Sequence, residues 1–176
     1  GKEQAIQSIE ENNLGKDRVL VVYLPDCHES LAGIIAGRIR EAYNKPVFVL
    51  TKGADGVKGS GRSIEAYSMY EELVKCSDLL TQFGGHPMAA GLSMEEKNVE
   101  LFRRRLNDNC TLTEQDLIPQ IMIDVPMPIS YLSKKLTEQL KVLEPFGKGN
   151  SKPLFAQKNL RAVGIRVFGR NRNVAK

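Results

Sequence analysis

Apolar positions in this chain alternate between helical and strand spacing often enough to outline an α/β domain. Residues 2–13 carry helical spacing that stops near Gly15. Val19-Leu20-Val21-Val22-Tyr23-Leu24 is a continuous apolar run, as in a strand buried on both faces. A helical stretch follows to about Tyr43, with Leu31, Ile34, Ile35 and Ile39 as its apolar face. Gly33 and Gly37, four apart, share one side of it and permit close backbone packing. Pro46 then precedes a second apolar run, Val47-Phe48-Val49-Leu50. Strand, helix and strand in this order predict a parallel, right-handed βαβ unit.

Further along, residues 57–63 read as an extended segment too rich in glycine to pack alone. Ser68 with Glu71 has capping-box spacing and opens a helix containing Leu73, Val74, Leu79 and Leu80. Ala89 to Ser93 reads as a strand, and Ser93 with Glu96 as a second capping box before a helix bearing Val99, Phe102 and Leu106. The α/β domain is complete by Cys110. Thr111 to Pro119 is a polar connection, which sets the expected domains at 1–113 and 114–176. In the second domain, residues 121–125 read as a strand and about Ser130 to Leu143 as an amphipathic helix. Pro145 to Asn150 is a turn-rich loop, Leu160 to Val167 another strand, and Gly169-Arg170-Asn171 a hairpin turn. A small barrel needs more strands than this, so the second domain is expected to be truncated.

Composition narrows the class. Hydrophobic residues make up 41% and charged residues 26%, an ordinary globular balance. No apolar run approaches the roughly 20 residues that cross a bilayer. The Gly-Lys start, without Met, leads us to expect an excised fragment. Three widely spaced cysteines, Cys27, Cys76 and Cys110, point to a reducing, cytoplasmic setting rather than a disulfide framework or a zinc site. Charge is uneven: residues 1–155 sum to −2 and residues 156–176 to +6. Arg166, Arg170 and Arg172, interleaved with Val163, Ile165 and Val167, suggest a basic strand surface that tracks a nucleic-acid backbone. On such a strand Arg166 faces away from Ile165 and Val167.

Three segments carry candidate chemistry. Phe83-Gly84-Gly85-His86-Pro87-Met88-Ala89-Ala90-Gly91 offers bare backbone beside one of only two histidines, which suits an anion. Asp26-Cys27-His28-Glu29-Ser30 lies at a strand-to-helix junction, where Ser30 caps the helix and His28 faces an entering phosphate. Gly59-Ser60-Gly61-Arg62-Ser63 sets a guanidinium fork among hydroxyls and exposed amides. Cys27 and His28, adjacent on an extended segment, point apart and do not make a nucleophilic pair. Together these segments supply His, Ser and Arg donors but no carboxylate cluster of the kind a two-metal nuclease needs. On this reading the chain is the substrate-gripping half of an enzyme.

These three segments, in this order and spacing, resemble the DHH-associated domain of RecJ-type single-strand exonucleases in the DHH phosphoesterase superfamily. Leu143-Glu-Pro-Phe-Gly147-Lys-Gly149-Asn150-Ser-Lys-Pro153-Leu-Phe155 is similar to the loop entering the RecJ OB-fold. The resemblance implies an α/β domain with a central mixed sheet flanked by helices, followed by a partial OB-fold. It implies a 5′-to-3′ exonuclease for single-stranded DNA in repair and recombination, dependent on Mn²⁺ or Mg²⁺. The ions would sit in a DHH domain with an Asp-His-His signature, which these residues lack; no metal ligands and no activity are expected of the chain alone. His86 would have a catalytic or binding role. His28, Ser30, Ser60, Gly61, Arg62, Gly84, Gly85 and His86 would hold the nucleotide phosphate. Arg166, Arg170 and Arg172 would form the nucleic-acid track. Expected partners are single-stranded DNA, the DHH domain, and a single-strand-binding protein or helicase, with no membrane. Two other readings stay open: a nano-RNase or cyclic-dinucleotide phosphodiesterase of the same superfamily, and a non-catalytic nucleic-acid-binding module.

Overall fold

The two long apolar runs become neighbouring strands. β1 (Leu20–Tyr23) and β2 (Val47–Gly53) pair in parallel, Leu20 opposite Val47, and the helix α2 (Glu29–Tyr43) joins them as the βαβ pattern predicts. The computed structural model describes residues 1–147, 149–161, 163–169, 172 and 174–175. β3 (Gly56–Arg62) runs antiparallel to β2, and a hairpin of β4 (Leu80–His86) and β5 (Ala89–Met94) completes a mixed sheet in the order β1-β2-β3-β5-β4.

Alternation along the strands divides the core. Leu20, Val22, Val47 and Val49 face α2 and the N-terminal helix α1 (Lys2–Glu11), where they meet Ile9, Ala32, Ile35 and Ile39. Val21, Phe48, Leu50, Val57, Leu92 and Met94 face the other way, against α3 (Met69–Val74) and α4 (Val99–Asp108). There Phe48 meets Phe102 edge to face, their ring centroids 5.5 Å apart. Asn107 of α4 donates to the Val19 carbonyl at 2.9 Å and accepts from the Arg18 and Val19 amides at 3.0 Å, which ties this layer to β1.

Several expected elements are corrected. Of the expected face of α2, Ile35 and Ile39 are buried but Leu31 and Ile34 are exposed; Ala32 and Ala36 complete the buried face, and the two alanines let the helix axis approach the sheet. Nothing lies within 4 Å of a Cβ built at Gly37, so only Gly33 serves close packing. The helix after Ser68 stops at Val74; Leu79 ends a 3₁₀ turn and Leu80 opens β4. Ser93 caps nothing, since it lies inside β5 and Asn98 precedes α4. Cys76 and Cys110 are buried free thiols, and burial pushes the Cys76 thiol up to about 11.

The chain divides into two units, Gly1–Pro119 and Gln120–Lys176, at the far end of the polar connection. The connection lies on the first unit. Leu112 is buried, Leu117 packs on the core, and the Asn44 side chain donates to the Leu117 carbonyl at 2.8 Å. In the second unit the strand expected over 121–125 shrinks to β6 (Val125–Pro126), which pairs in parallel with β7 (Phe155–Ala156). The helix expected from 130 to 143 is a shorter α5 (Lys134–Leu140), capped by Ser133 and flanked by 3₁₀ turns. No strand forms among the described residues of 160–166, where Gly164 adopts φ +65°. β8 (Val167–Phe168) and β9 (Val174–Ala175) form the expected hairpin, closed by the Arg172 amide donating to Gly169 at 3.0 Å. Among the described residues, no helix is long and apolar enough to cross a membrane.

Candidate functional site

On the α2 side of the sheet, β1 and β2 present apolar residues and the other three strands do not. Strand register explains the difference. Residues paired across neighbouring strands share a face, and residues two apart along a strand return to it. One row across β3, β5 and β4 is therefore Arg62, Ala89 and His86; the next is Ser60, Gly91 and Gly84; the third is Lys58, Ser93 and Gln82. With no bulky apolar group in any row, this half of the sheet buries little under a helix: α2 crosses β3 at Gly33, against Ser60 and Arg62. The result is a cleft of about 760 Å³ floored by β3, β5 and β4 and edged by the first turn of α2.

The polar groups in it and in the adjoining Arg62–His86 row are held by short-range contacts. Arg62 Nη1 donates to the Gly61 carbonyl at 2.7 Å and to Ser60 Oγ at 3.2 Å. A Cβ built on Gly33 would lie 2.8 Å from Arg62 Nη2 and 3.1 Å from Ser60 Oγ, so the bare backbone of α2 seats that guanidinium. His86 Nδ1 accepts from the Met88 amide at 3.3 Å, which leaves Nε2 protonated and pointing outward as a donor. At the mouth, Lys58 Nζ meets Glu29 Oε2 at 2.9 Å. That hydrogen bond, and then the attraction of opposite charges, lowers the Glu29 carboxyl and raises the Lys58 ammonium from their ordinary ranges.

The expected site residues separate into three groups. Ser30, Ser60 and Gly84 line the cleft, and Arg62 and His86 share its sheet face one row along. His28 takes the cap expected of Ser30. His28 is the N-cap of α2, its Nδ1 accepting from the Ser30 amide at 3.2 Å, while Ser30 Oγ lies 2.8 Å from the same nitrogen. At Gly61 and Gly85 the packing itself requires glycine. A Cβ on Gly61 would run into Met69 Sδ and come 2.7 Å from Phe48, and Gly85 (φ +150°) has Ala90 Cα 2.5 Å from its Cβ position. The open glycines are Gly84 and Gly91, which have no close neighbour on this face.

Sequence reasoning passed over Lys58, Gln82 and Ser93. For Lys58 the signal was the period-two spacing Lys58-x-Ser60-x-Arg62, which places three polar side chains on one face of a strand. In the second unit, Arg166 is exposed but lies outside any strand, and Ile165 and Val167 are exposed too. The opposite-face arrangement expected there is therefore not formed. Arg172 is exposed at φ +50°, and Arg170 lies outside the described residues. Among the described residues, no three His, Cys, Asp or Glu side chains gather in a group that could hold a metal ion.

Comparison with known proteins gives two family matches: a DHHA1 domain over residues 16–111 and a RecJ OB domain over residues 123–176. The single-stranded-DNA-specific exonuclease RecJ of Bacillus subtilis is 33% identical over 180 residues, spanning 99% of this chain and 22% of that protein. RecJ of Salmonella typhimurium is 36% identical over 143 residues, spanning 77% of this chain and 25% of that protein. The crystal structure of RecJ in complex with Mn²⁺ from Thermus thermophilus is similar with a TM-score of 0.72 at 30% identity, covering 89% of this chain and 24% of that one. The chain thus spans about a quarter of the length of these relatives.

Proposed function

The chain belongs to the DHHA1 domain family, and from that membership we propose that it is the substrate-gripping part of a RecJ-like, single-stranded-DNA-specific exonuclease working from the 5′ end. The observation that carries the reading is the polar sheet face that Ser60, Arg62 and His86 share with the open Gly84 and Gly91. Arg62 keeps guanidinium N–H groups free beyond those tied to Ser60 and Gly61, and a guanidinium fork matches phosphate oxygens. The His86 Nε2–H adds a second donor. Gly84 and Gly91 let a sugar and its backbone approach the sheet closely. In this reading the residues bind and orient the strand end and offset its charge. Mg²⁺ or Mn²⁺ supplies the activated water for phosphodiester cleavage in this class of nuclease. The residues described here do not fit such an ion, so its ligands are assigned to a DHH domain outside them. The second unit extends the grip along the strand, as OB-folds do by stacking and charge.

Anisotropy with a labelled, 5′-phosphorylated oligonucleotide tests the reading. The chain should prefer the single strand to a duplex, and Arg62→Ala should weaken binding by roughly ten- to a hundredfold through loss of a charge-assisted contact. Equal affinity for duplex and single strand, or wild-type affinity in a folded Arg62→Ala protein, would overturn it. With Mn²⁺ alone the chain should leave 5′-labelled single strands intact.

A further inference from the structure

The third row of the cleft face, Lys58, Ser93 and Gln82, belongs to none of the glycine- and histidine-bearing motifs legible in the sequence, yet all three side chains line the cleft. An ammonium, a hydroxyl and an amide converge there. The row stands two residues beyond Ser60 along β3, about 7 Å away at the ordinary strand rise. That distance is comparable with the separation of neighbouring phosphates in an extended single strand. Gly91 and Gly84 share the Ser60 row, and their bare backbone leaves the room a sugar needs beside it. A phosphate held at Ser60 and Arg62 would therefore direct the next phosphate of the same strand onto Lys58.

Two acids attend this row: Glu29, in the first turn of α2, 2.9 Å from Lys58, and Asp55, whose charge also acts on the Lys58 ammonium. The side chains of Lys58 and Glu29 are 55% and 48% exposed, so the pair is open to exchange. Exposed pairs of this kind are worth little, on the order of 0–1 kcal/mol. An internucleotide phosphate diester carries one charge on two non-bridging oxygens, as a carboxylate does, and a strand already anchored at Ser60 and Arg62 presents it to the same ammonium at high local concentration.

We propose that Lys58, with Ser93 and Gln82, forms a second phosphate subsite one nucleotide along from the Ser60–Arg62 subsite, and that Glu29 is its resident counter-ion, displaced when the strand enters. The inference rests on the proposed grip at Ser60 and Arg62 and extends it by one nucleotide. It assigns Lys58 a share in strand length preference, because a mononucleotide reaches only the first subsite.

Titration of the chain, in chelator and at fixed salt, with thymidine 5′-monophosphate and with the 5′-phosphorylated dinucleotide pTpT tests it. Wild-type protein should bind pTpT more tightly than the monophosphate. Lys58→Gln should weaken pTpT roughly tenfold, as loss of a charge-assisted contact does, and leave the monophosphate within about twofold. It should also flatten the salt dependence of pTpT binding by about 0.7 in slope, one phosphate's worth of released counterion on a single strand. Glu29→Gln should tighten pTpT. Arg62→Ala separates the two readings, since it should weaken both ligands. If Arg62→Ala weakens both while Lys58→Gln and Glu29→Gln alter neither, the second subsite is wrong and the first grip stands. If wild-type protein binds pTpT no better than the monophosphate, the subsite is overturned; if it binds neither, both readings fall.

Discussion

A glycine inside a helix costs about 1 kcal/mol relative to alanine, so Gly33 in the middle of α2 calls for a compensating reason. That reason is the Arg62 guanidinium, whose Nη2 occupies the space an alanine methyl would need. Gly33→Ala should therefore leave the melting temperature unchanged or slightly raised, because the clash is with the far end of a flexible side chain. Oligonucleotide affinity should nevertheless fall, as the guanidinium leaves its seat. A parallel loss of stability and affinity would make Gly33 a packing residue only. Gly61→Ala makes the contrasting case. Its methyl would meet Met69 Sδ and the Phe48 ring in the core, and overpacking of this sort costs about 1–3 kcal/mol. Thermal melting of the two variants distinguishes a glycine kept for the cleft from one kept for the core.

Among the elements, α2 shows both how well and how poorly local pattern reports function. Its limits were legible, but the cap expected of Ser30 is His28, since a histidine accepting at Nδ1 is a less common N-cap than serine. His28→Asn should hold the melting temperature and His28→Ala should lower it, the cap being worth about 1 kcal/mol. If His28→Asn instead loses oligonucleotide affinity at full stability, the imidazole is a ligand after all. β2 could be read from the sequence because its apolar run is buried on both faces, and β5 because it buries alternate side chains. β4 could not: Phe83-Gly84-Gly85-His86 has no alternation to detect, and the strand exists because its backbone pairs with β5. Likewise Arg62 and His86 could be named singly, but their shared face follows from register, which only the fold supplies. The strand expected over 160–167 failed for the converse reason. Apolar alternation without a neighbouring strand leaves backbone groups unpaired, and Gly164 at φ +65° bends the chain out of extension.

At the scale of the whole molecule, the division at Pro119 separates two kinds of stability. Every buried residue described in the chain lies at or before Leu112, in a sheet covered on one face by α1 and α2 and on the other by α3 and α4. Among the described residues of the second unit none is buried, and Ile121, Met122, Val142 and Val163 are all more than 70% exposed. Burial of apolar area is the main favourable term in folding, so the first unit should carry nearly all of the cooperativity. We accordingly propose the domain boundary at the end of the polar connection: Leu112 and Leu117 hold that connection to the first unit. Limited proteolysis should cut from Gln120 onward before it cuts between Thr111 and Leu117, and should leave a resistant fragment ending near Pro119. Hydrogen exchange followed on the same sample should find slow amides in β1, β2 and β3 and little protection beyond residue 120. Added single-stranded oligonucleotide should slow exchange in β3 and at the start of α2, where the proposed grip lies. Early cleavage at residues 111–117 with the second unit left intact would show instead that the connection is the weak link and that the second unit is stable in its own right.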